Sequence, residues 1–274
     1  MKKYEGIVNC TNEEYHAEKK HYSSSNLKML LDDPADFYKY KIEGKTKEYS
    51  TNTLNAFAEG TYAHSLILEP HMIDKEFRFF NGFRKQGKDW EAFKNDPANE
   101  GFVLMSKSQK KKVENWVKSY EARKKDIDLI KGGEPELTLF GDLMGLPIKV
   151  RADYLNADVG YLADVKTTAS PSDVDSFKYT VDSFKYELSA ALYLMMFEKH
   201  FGKKLDFYFV VLGKRDSSCE IFKLSEEKRA EGEAKIMQAI EIYKKCKKTG
   251  IWSLPGASSN DNIDLDSEYE ILEI

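Results

Sequence analysis

Asp164 and Lys166 stand two residues apart in Tyr161-Leu-Ala-Asp-Val-Lys-Thr167. Side chains alternate along a strand, so in a strand these two point the same way. Asp153, in Ile148-Lys-Val-Arg-Ala-Asp-Tyr154, shares a side with Lys149 and Arg151. A tight turn over Asn156–Gly160 joins the two runs, so Asp153 is expected beside Asp164 on one sheet face, with Lys166 close to both. Two carboxylates this near repel each other unless a cation sits between them. Oxygen ligands without thiolates suit Mg²⁺ or Mn²⁺. The lysine would aim a second positive charge at the same point. Such a group can polarise a phosphoryl oxygen and activate a water for in-line attack. The plainer reading is a solvated strand face, because Asp-x-Lys is short enough to arise by chance. Asp153 on the neighbouring strand shifts the balance toward a site.

Two more residues could complete such a site. Glu136, in Glu134-Pro-Glu-Leu-Thr-Leu139, opens the preceding strand and could bring a third carboxylate. His64, in Gly60-Thr-Tyr-Ala-His64, lies on a helix after a glycine. A lone helical histidine is more often a satisfied structural residue.

The elements that position these residues follow from spacing. Ser23-Ser-Ser-Asn-Leu-Lys-Met-Leu-Leu31 predicts a serine-capped helix with Leu27, Leu30 and Leu31 on its apolar face. Asp33-Pro34 starts a further turn. Leu54–Leu68 predicts a helix ended at Glu69-Pro70, and Ser106–Ile130 a long basic one. The period then changes to two. A hairpin turns at Gly141–Gly145, and Tyr161–Thr167 adds a third strand. Glu187–Phe201 reads as a helix, Phe207–Leu212 as a strand covered on both faces, Ser218–Leu224 as another strand, and Glu226 to about Lys248 as a helix. The sum is an α/β fold with a mixed central sheet flanked by helices, not a doubly wound parallel one. Asp175-Ser-Phe-Lys-Tyr179 recurs as Asp182-Ser-Phe-Lys-Tyr186, a period that sets both copies on one helical face.

Composition excludes several classes. The longest apolar run, Ala190–Phe197, falls far short of the ~18 residues of a membrane span. The N-terminus carries no hydrophobic signal region, so a cytoplasmic protein is expected. Cys10, Cys219 and Cys246 are scattered and cannot build a four-thiolate zinc or iron–sulfur site. No Gly-x-x-x-x-Gly-Lys-Ser/Thr loop marks an ATPase. The net charge of −4 is uneven. Residues 257–274 hold six acids and no Lys or Arg, whereas Gly101–Lys131 holds nine Lys or Arg against four acids. That basic stretch is a candidate polyanion surface, or else a solvated helix face.

Six segments, in order, resemble the PD-(D/E)XK nuclease superfamily, in particular its RecE-type (exodeoxyribonuclease VIII-like) phage and prophage exonucleases, kin of the RecB nuclease domain. They are Ser23–Phe37 with its Pro34-Ala, Gly60-Thr-Tyr-Ala-His64, Glu136-Leu-Thr138, Arg151-Ala-Asp153-Tyr-Leu, Asp164-Val-Lys166-Thr-Thr168, and Tyr186–Tyr193. The last resembles a Tyr-x-x-Gln-x-Ala-x-Tyr helix, with Ser189 in place of the glutamine. The resemblance implies a restriction-endonuclease-like core. It implies His64, Asp153 and Asp164 as metal ligands, Lys166 as the residue that stabilises the transition state, and Glu136 and Tyr193 as further members of the site. It implies one nuclease domain over residues 1–256: a helical part over about 20–131, a catalytic meander and sheet over about 134–225, and a closing helix over about 226–248. An acidic tail, 257–274, follows.

By the same resemblance the activity is ATP-independent, processive 5′→3′ digestion of one strand of linear duplex DNA. The 3′ overhang would pass to a single-strand annealing recombinase, and the enzyme would be a homo-oligomeric ring, a tetramer. Arg84 and Arg151 are candidates for holding a 5′ phosphate. The alternatives are an endonuclease or junction resolvase with the same site, or a non-catalytic DNA-binding module, which predicts eroded acids. The tail mixes Ile263, Leu265, Tyr269, Ile271 and Leu272 with its acids, so it reads as a solvated terminus or as a docking segment.

Overall fold

The apolar pattern of two neighbouring strands sets the layering. In Tyr161–Thr168 (β6), Leu162 joins one hydrophobic cluster and Ala163 and Val165 the other. In Asp206–Gly213 (β7), Phe207, Phe209 and Val211 face the first cluster, and Val210 and Leu212 the second. Both strands are therefore covered on both sides, as the unbroken apolar run of β7 requires. The structure is a computed structural model and describes residues 5–169 and 172–253. The acidic tail lies outside the described residues.

The other elements follow in chain order. Gly6–Val8 is β1, Asn12–Ala17 is α1, Ser24–Asp32 is α2 and Pro34–Phe37 is α3, which runs into a π-turn over Tyr38–Ile42. Thr51–Leu68 is α4, Ile73–Glu76 is α5, Phe77–Phe80 is β2, Lys88–Lys94 is α6, Val103–Ser106 is β3 and Lys107–Arg123 is α7. Glu134–Leu143 (β4) and Leu146–Asn156 (β5) precede β6. Val174–Phe184 (α8) and Tyr186–Phe201 (α9) cross from β6 to β7. Cys219–Lys223 (β8) and Glu226–Thr249 (α10) close the chain.

One sheet has the order β1-β4-β5-β6-β7-β8. Only β6 and β7 pair in parallel, so the sheet is mixed and mostly antiparallel. One face packs against α2, α9 and α10 through Leu27, Leu30, Leu188, Leu192, Ile236 and Ile240. The other packs against α4 and α7 through Tyr62, Ala63, Val113 and Trp116. Truncating a fully buried leucine such as Leu27 would cost about 2–5 kcal/mol. No helix among the described residues is long and apolar enough to cross a membrane.

Several elements differ from the sequence expectation. The β4–β5 hairpin turns on two residues, Met144 and Gly145, both with positive φ, as the twist of a tight hairpin demands. The basic helix stops at Arg123, seven residues early. Leu129 and Ile130 keep an apolar spacing because they pack on the α4/α7 cluster from irregular chain. β1 and the two-stranded parallel sheet β2–β3 were not anticipated, being three or four residues long. The Asp-Ser-Phe-Lys-Tyr repeat does not share one face. Lys185, in a left-handed conformation, breaks the helix inside the second copy, and Phe177 is buried while Phe184 is exposed.

Candidate active site

The site forms where β5 and β6 part. Their ladder pairs Asn156 with Tyr161, Leu155 with Leu162 and Tyr154 with Ala163, and ends there. Beyond that point β5 stays with β4, and β6 stays with β7 as far as Thr168. Asp153 is the first β5 residue in the fork. Its Oδ2 accepts the Val165 N–H, freed from the ladder, at 2.8 Å, and lies 3.3 Å from His64 Nδ1. The carboxylate of Asp153 thus sits in the fork facing His64, near enough to Asp164 to feel its charge.

Glu136 reaches the same point by a backbone distortion. Its φ of +52° is left-handed, at the third residue of the strand. The β4–β5 pairing passes from Pro135–Tyr154 to Leu137–Ala152 and omits Glu136. A non-glycine residue in this conformation costs of order 1–3 kcal/mol, and such outliers cluster at functional sites. Arg151 fixes the carboxylate: Nε donates to Glu136 Oε2 at 2.6 Å, and Nη1 donates to Cys10 O at 3.0 Å and Thr138 Oγ1 at 3.2 Å. Arg151 is therefore held in place by its own site.

Among the described residues, His64, Glu136 and Asp153 offer ligand atoms that all lie within 4.8 Å of one another. Asp164 is not one of the three. It is buried, and its Oδ2 forms a close ion pair with Lys166 Nζ. Lys166 also lies 5.2 Å from the centre of the Tyr186 ring on α9. Tyr193, one α9 turn pair further on, lines the cavity that Glu136 and Asp153 open into. Ser189 is half-buried between these two tyrosines in sequence. Arg84 lies elsewhere, in the loop after β2.

Charge crowding marks the site. Burial, then the Asp153 charge, pushes the Glu136 carboxyl up to about 7 against the pull of Arg151. Burial, then Asp164, pushes Asp153 up to about 7, although Lys166, the Val165 N–H and Arg151 oppose this. Burial and Lys166 lower His64, which leaves a neutral imidazole able to donate a lone pair. Burial alone would lower Lys166, but Asp164 and Asp153 overcome it and hold the ammonium protonated. Burial, then Tyr15 and the two aspartates, pushes the Tyr193 phenol well above its ordinary value. Two carboxylates and a neutral histidine with raised acid pKa values fit a hard divalent cation, which would relieve their repulsion.

Sequence reasoning missed Lys28. From α2, its Nζ donates to Phe184 O at 2.8 Å and lies 5.3 Å from the Tyr186 ring, which Lys166 shares. Burial and Lys166 push it down to about 8. Only its place beside the apolar stripe of α2 could have hinted at this. The cavity beside Glu136 and Asp153 has a volume of about 770 Å³ and is walled by α1, the start of α2 and the segment after the π-turn. Lys19, Lys41, Lys45 and Lys149 make much of that wall basic.

Comparison with solved structures gives a close match in fold. The crystal structure of a "putative exonuclease" from Eubacterium rectale superposes with a TM-score of 0.65, at 17% identity, over 96% of this chain and 97% of that one. The protein SSO0001 overlaps over 45% of this chain and 56% of its own, at 14% identity and a TM-score of 0.27, too low to bear on the fold. Comparison with curated proteins returned no match. A family model described as a PDDEXK-like domain of unknown function (DUF3799) matches residues 23–260, from the start of α2 past α10. That match spans the helices from α2 on and the whole of the sheet from β4 to β8, and the chain belongs to the PDDEXK-like DUF3799 family.

Proposed function

We propose that this nuclease-like domain is a metal-dependent DNA exonuclease. One observation carries the reading: His64, Glu136 and Asp153 converge within 4.8 Å beside the Asp164–Lys166 pair. His64, Glu136 and Asp153 would hold Mg²⁺ or Mn²⁺, with Asp164 completing the set by resemblance. When bound, the ion supplies Lewis-acid polarisation of a phosphoryl oxygen and lowers the pKa of a water. Lys166 keeps its proton and presents positive charge to the oxygens that gain charge in the transition state. Arg151 fixes Glu136. Tyr193 forms the wall that orients the strand.

An end-directed enzyme is favoured over an endonuclease or a resolvase because the acids open into a walled cavity with basic residues rather than onto a flat face. The intact acids and lysine weigh against a non-catalytic module. The resemblance extends the reading to ATP-independent, processive 5′→3′ digestion of linear duplex. It also implies a 3′ overhang for an annealing recombinase, a ring-shaped homo-oligomer, and a phage or prophage enzyme working in the bacterial cytoplasm.

The deciding experiment uses linear duplex DNA labelled at one 5′ end, beside a closed circle of the same sequence, with Mg²⁺ or Mn²⁺ and no ATP. Early release of labelled mononucleotide with the circle intact is expected. A cut circle would make the enzyme an endonuclease, and no cutting would favour a binding module. Lys166→Ala should lower the rate by on the order of 10²–10³ or more while the chain stays folded. Full activity in that variant would overturn the site assignment.

A further inference from the structure

A second cavity, of about 470 Å³, lies along the first half of α4, outside the site just described. Arg84, Lys85, Lys112 and Lys214 line it against a single acid, Glu59. Glu59 is already paired with Lys112, at 3.0 Å. A third cavity, of about 500 Å³, shares Phe83 and Arg84, adds one further acid, Asp89, and continues the depression past the loop. The loop that carries Phe83 and Arg84 is pinned. Ser108 Oγ donates to Phe83 O at 2.5 Å, Lys107 N donates to Gly82 O at 3.2 Å, and Lys85 Nζ donates to Asn55 Oδ1 at 3.0 Å. Yet the Phe83 side chain at its crest is 72% exposed. A fixed loop that holds an aromatic ring out in solvent, above a row of cations, offers a ring face and a charged track together.

The groove starts close to the candidate active site. Lys214 N donates to Thr168 O at 2.9 Å, and Thr168 is two residues beyond Lys166, roughly 7 Å along the strand. Glu59 lies five residues before His64 on α4, roughly 7.5 Å along its axis. The same helix and the same strand end therefore join the two sites.

We infer that this groove binds a single strand of DNA that runs past the site, with its phosphates on Arg84, Lys85 and Lys214 and a base stacked on Phe83. The inference rests on the nuclease reading for the identity of its ligand. Single strand is favoured over duplex because an exposed ring can stack only on an unpaired base, and aromatic platforms in basic grooves are the usual means of holding unpaired strands.

The test is fluorescence anisotropy of the full chain with a labelled oligothymidylate and with a labelled hairpin duplex, in EDTA so that nothing is cut. Wild type should bind the single strand. Phe83→Ala should weaken it by about tenfold. Arg84→Ala with Lys214→Ala should lower the slope of log affinity against log salt by about 1.4, two phosphate contacts at about 0.7 each. Arg84→Lys should retain the slope. Thermal unfolding of each variant checks that the loop change has not unfolded the protein. Wild-type affinity and slope in all variants would overturn the proposal, as would binding of the duplex alone or of neither. A polyglutamate peptide that binds as tightly and displaces the strand would make the groove a dock for acidic protein segments instead. Failure of the nuclease reading is seen separately, as wild type that binds DNA but cuts none with Mg²⁺ or Mn²⁺.

Discussion

Glu136 and Asp153 work against the fold that holds them. Each carboxyl has a folded pKa of about 7, above its ordinary value, because it is buried beside other acids. The folded state then binds protons more tightly than the unfolded one, and the protein loses stability as pH rises from about 4 to 7. Above that range the loss is complete and constant. Without metal, Glu136→Gln should therefore raise the stability at pH 8 by about 1–3 kcal/mol, roughly 2–10 °C in Tm, and change little at pH 4. Mn²⁺ should raise the wild-type Tm more at pH 8 than at pH 5, and Glu136→Gln should blunt that rise. Thermal unfolding in EDTA and in Mn²⁺ at the two pH values checks both, and an unchanged Tm in the variant would mean that no strain is stored there. Arg151 acts on the same carboxylate from behind. Arg151→Ala should raise the Mg²⁺ concentration needed for half-maximal cleavage by about 10–100-fold, which a metal titration of the rate measures. The parity of side chains on two strands was enough to bring Asp153, Asp164 and Lys166 together from the sequence. It could not show the fork at Tyr154–Ala163, which turns Asp153 toward His64, nor the positive φ that delivers Glu136. Both depend on where a ladder ends, and no local pattern encodes that.

Two glycines separate what a motif suggests from what a helix needs. Gly60 precedes His64 in a pattern that invites a functional reading. A Cβ there would meet nothing closer than Thr167 Oγ1 at 3.9 Å, an ordinary contact. Gly60→Ala should thus leave cleavage intact and stabilise α4 by about 1 kcal/mol, since alanine is the better helix former. Gly232 attracted no attention in the sequence. A Cβ there would stand 2.2 Å from Glu187 O and 2.8 Å from Ala191 Cβ, where α10 crosses α9. Gly232→Ala must push the two helices apart at about 2–3 kcal/mol, read as a lower Tm. Equal melting temperatures would show that the helices yield freely. The longer helices were legible, because serine caps, apolar stripes and the Glu69-Pro70 stop are local signals, whereas the short α1, α5 and α6 were not. The end of α7 was not, because Leu129 and Ile130 satisfy the apolar period while packing from outside the helix.

Across the molecule, charge is divided rather than absent. The mixed sheet was readable from runs of period two, one long crossover and the unbroken apolar run of β7, whereas the double cover of β6 and the place of β1 at the sheet edge were not. The basic surfaces were legible only as composition. Of the Gly101–Lys131 stretch, Lys112 joins Arg84 and Lys214 from distant segments at one groove, a meeting that no window of sequence displays. The six acids of the tail oppose that field. Replacing Asp261, Asp264 and Asp266 by Asn and Glu268, Glu270 and Glu273 by Gln moves the net charge from −4 to +2. Attraction of a polyanion depends on the summed field, and salt shortens its reach to about 10 Å at 0.1 M. The neutralised chain should therefore associate with DNA severalfold faster at about 0.05 M salt, with the advantage gone at about 0.5 M. Stopped-flow binding at the two salt concentrations measures this. An equal rate at low salt would place the tail charges beyond the range of the DNA surface. A slower rate would mean that the acids aid binding, by holding an active assembly together rather than by repelling the substrate.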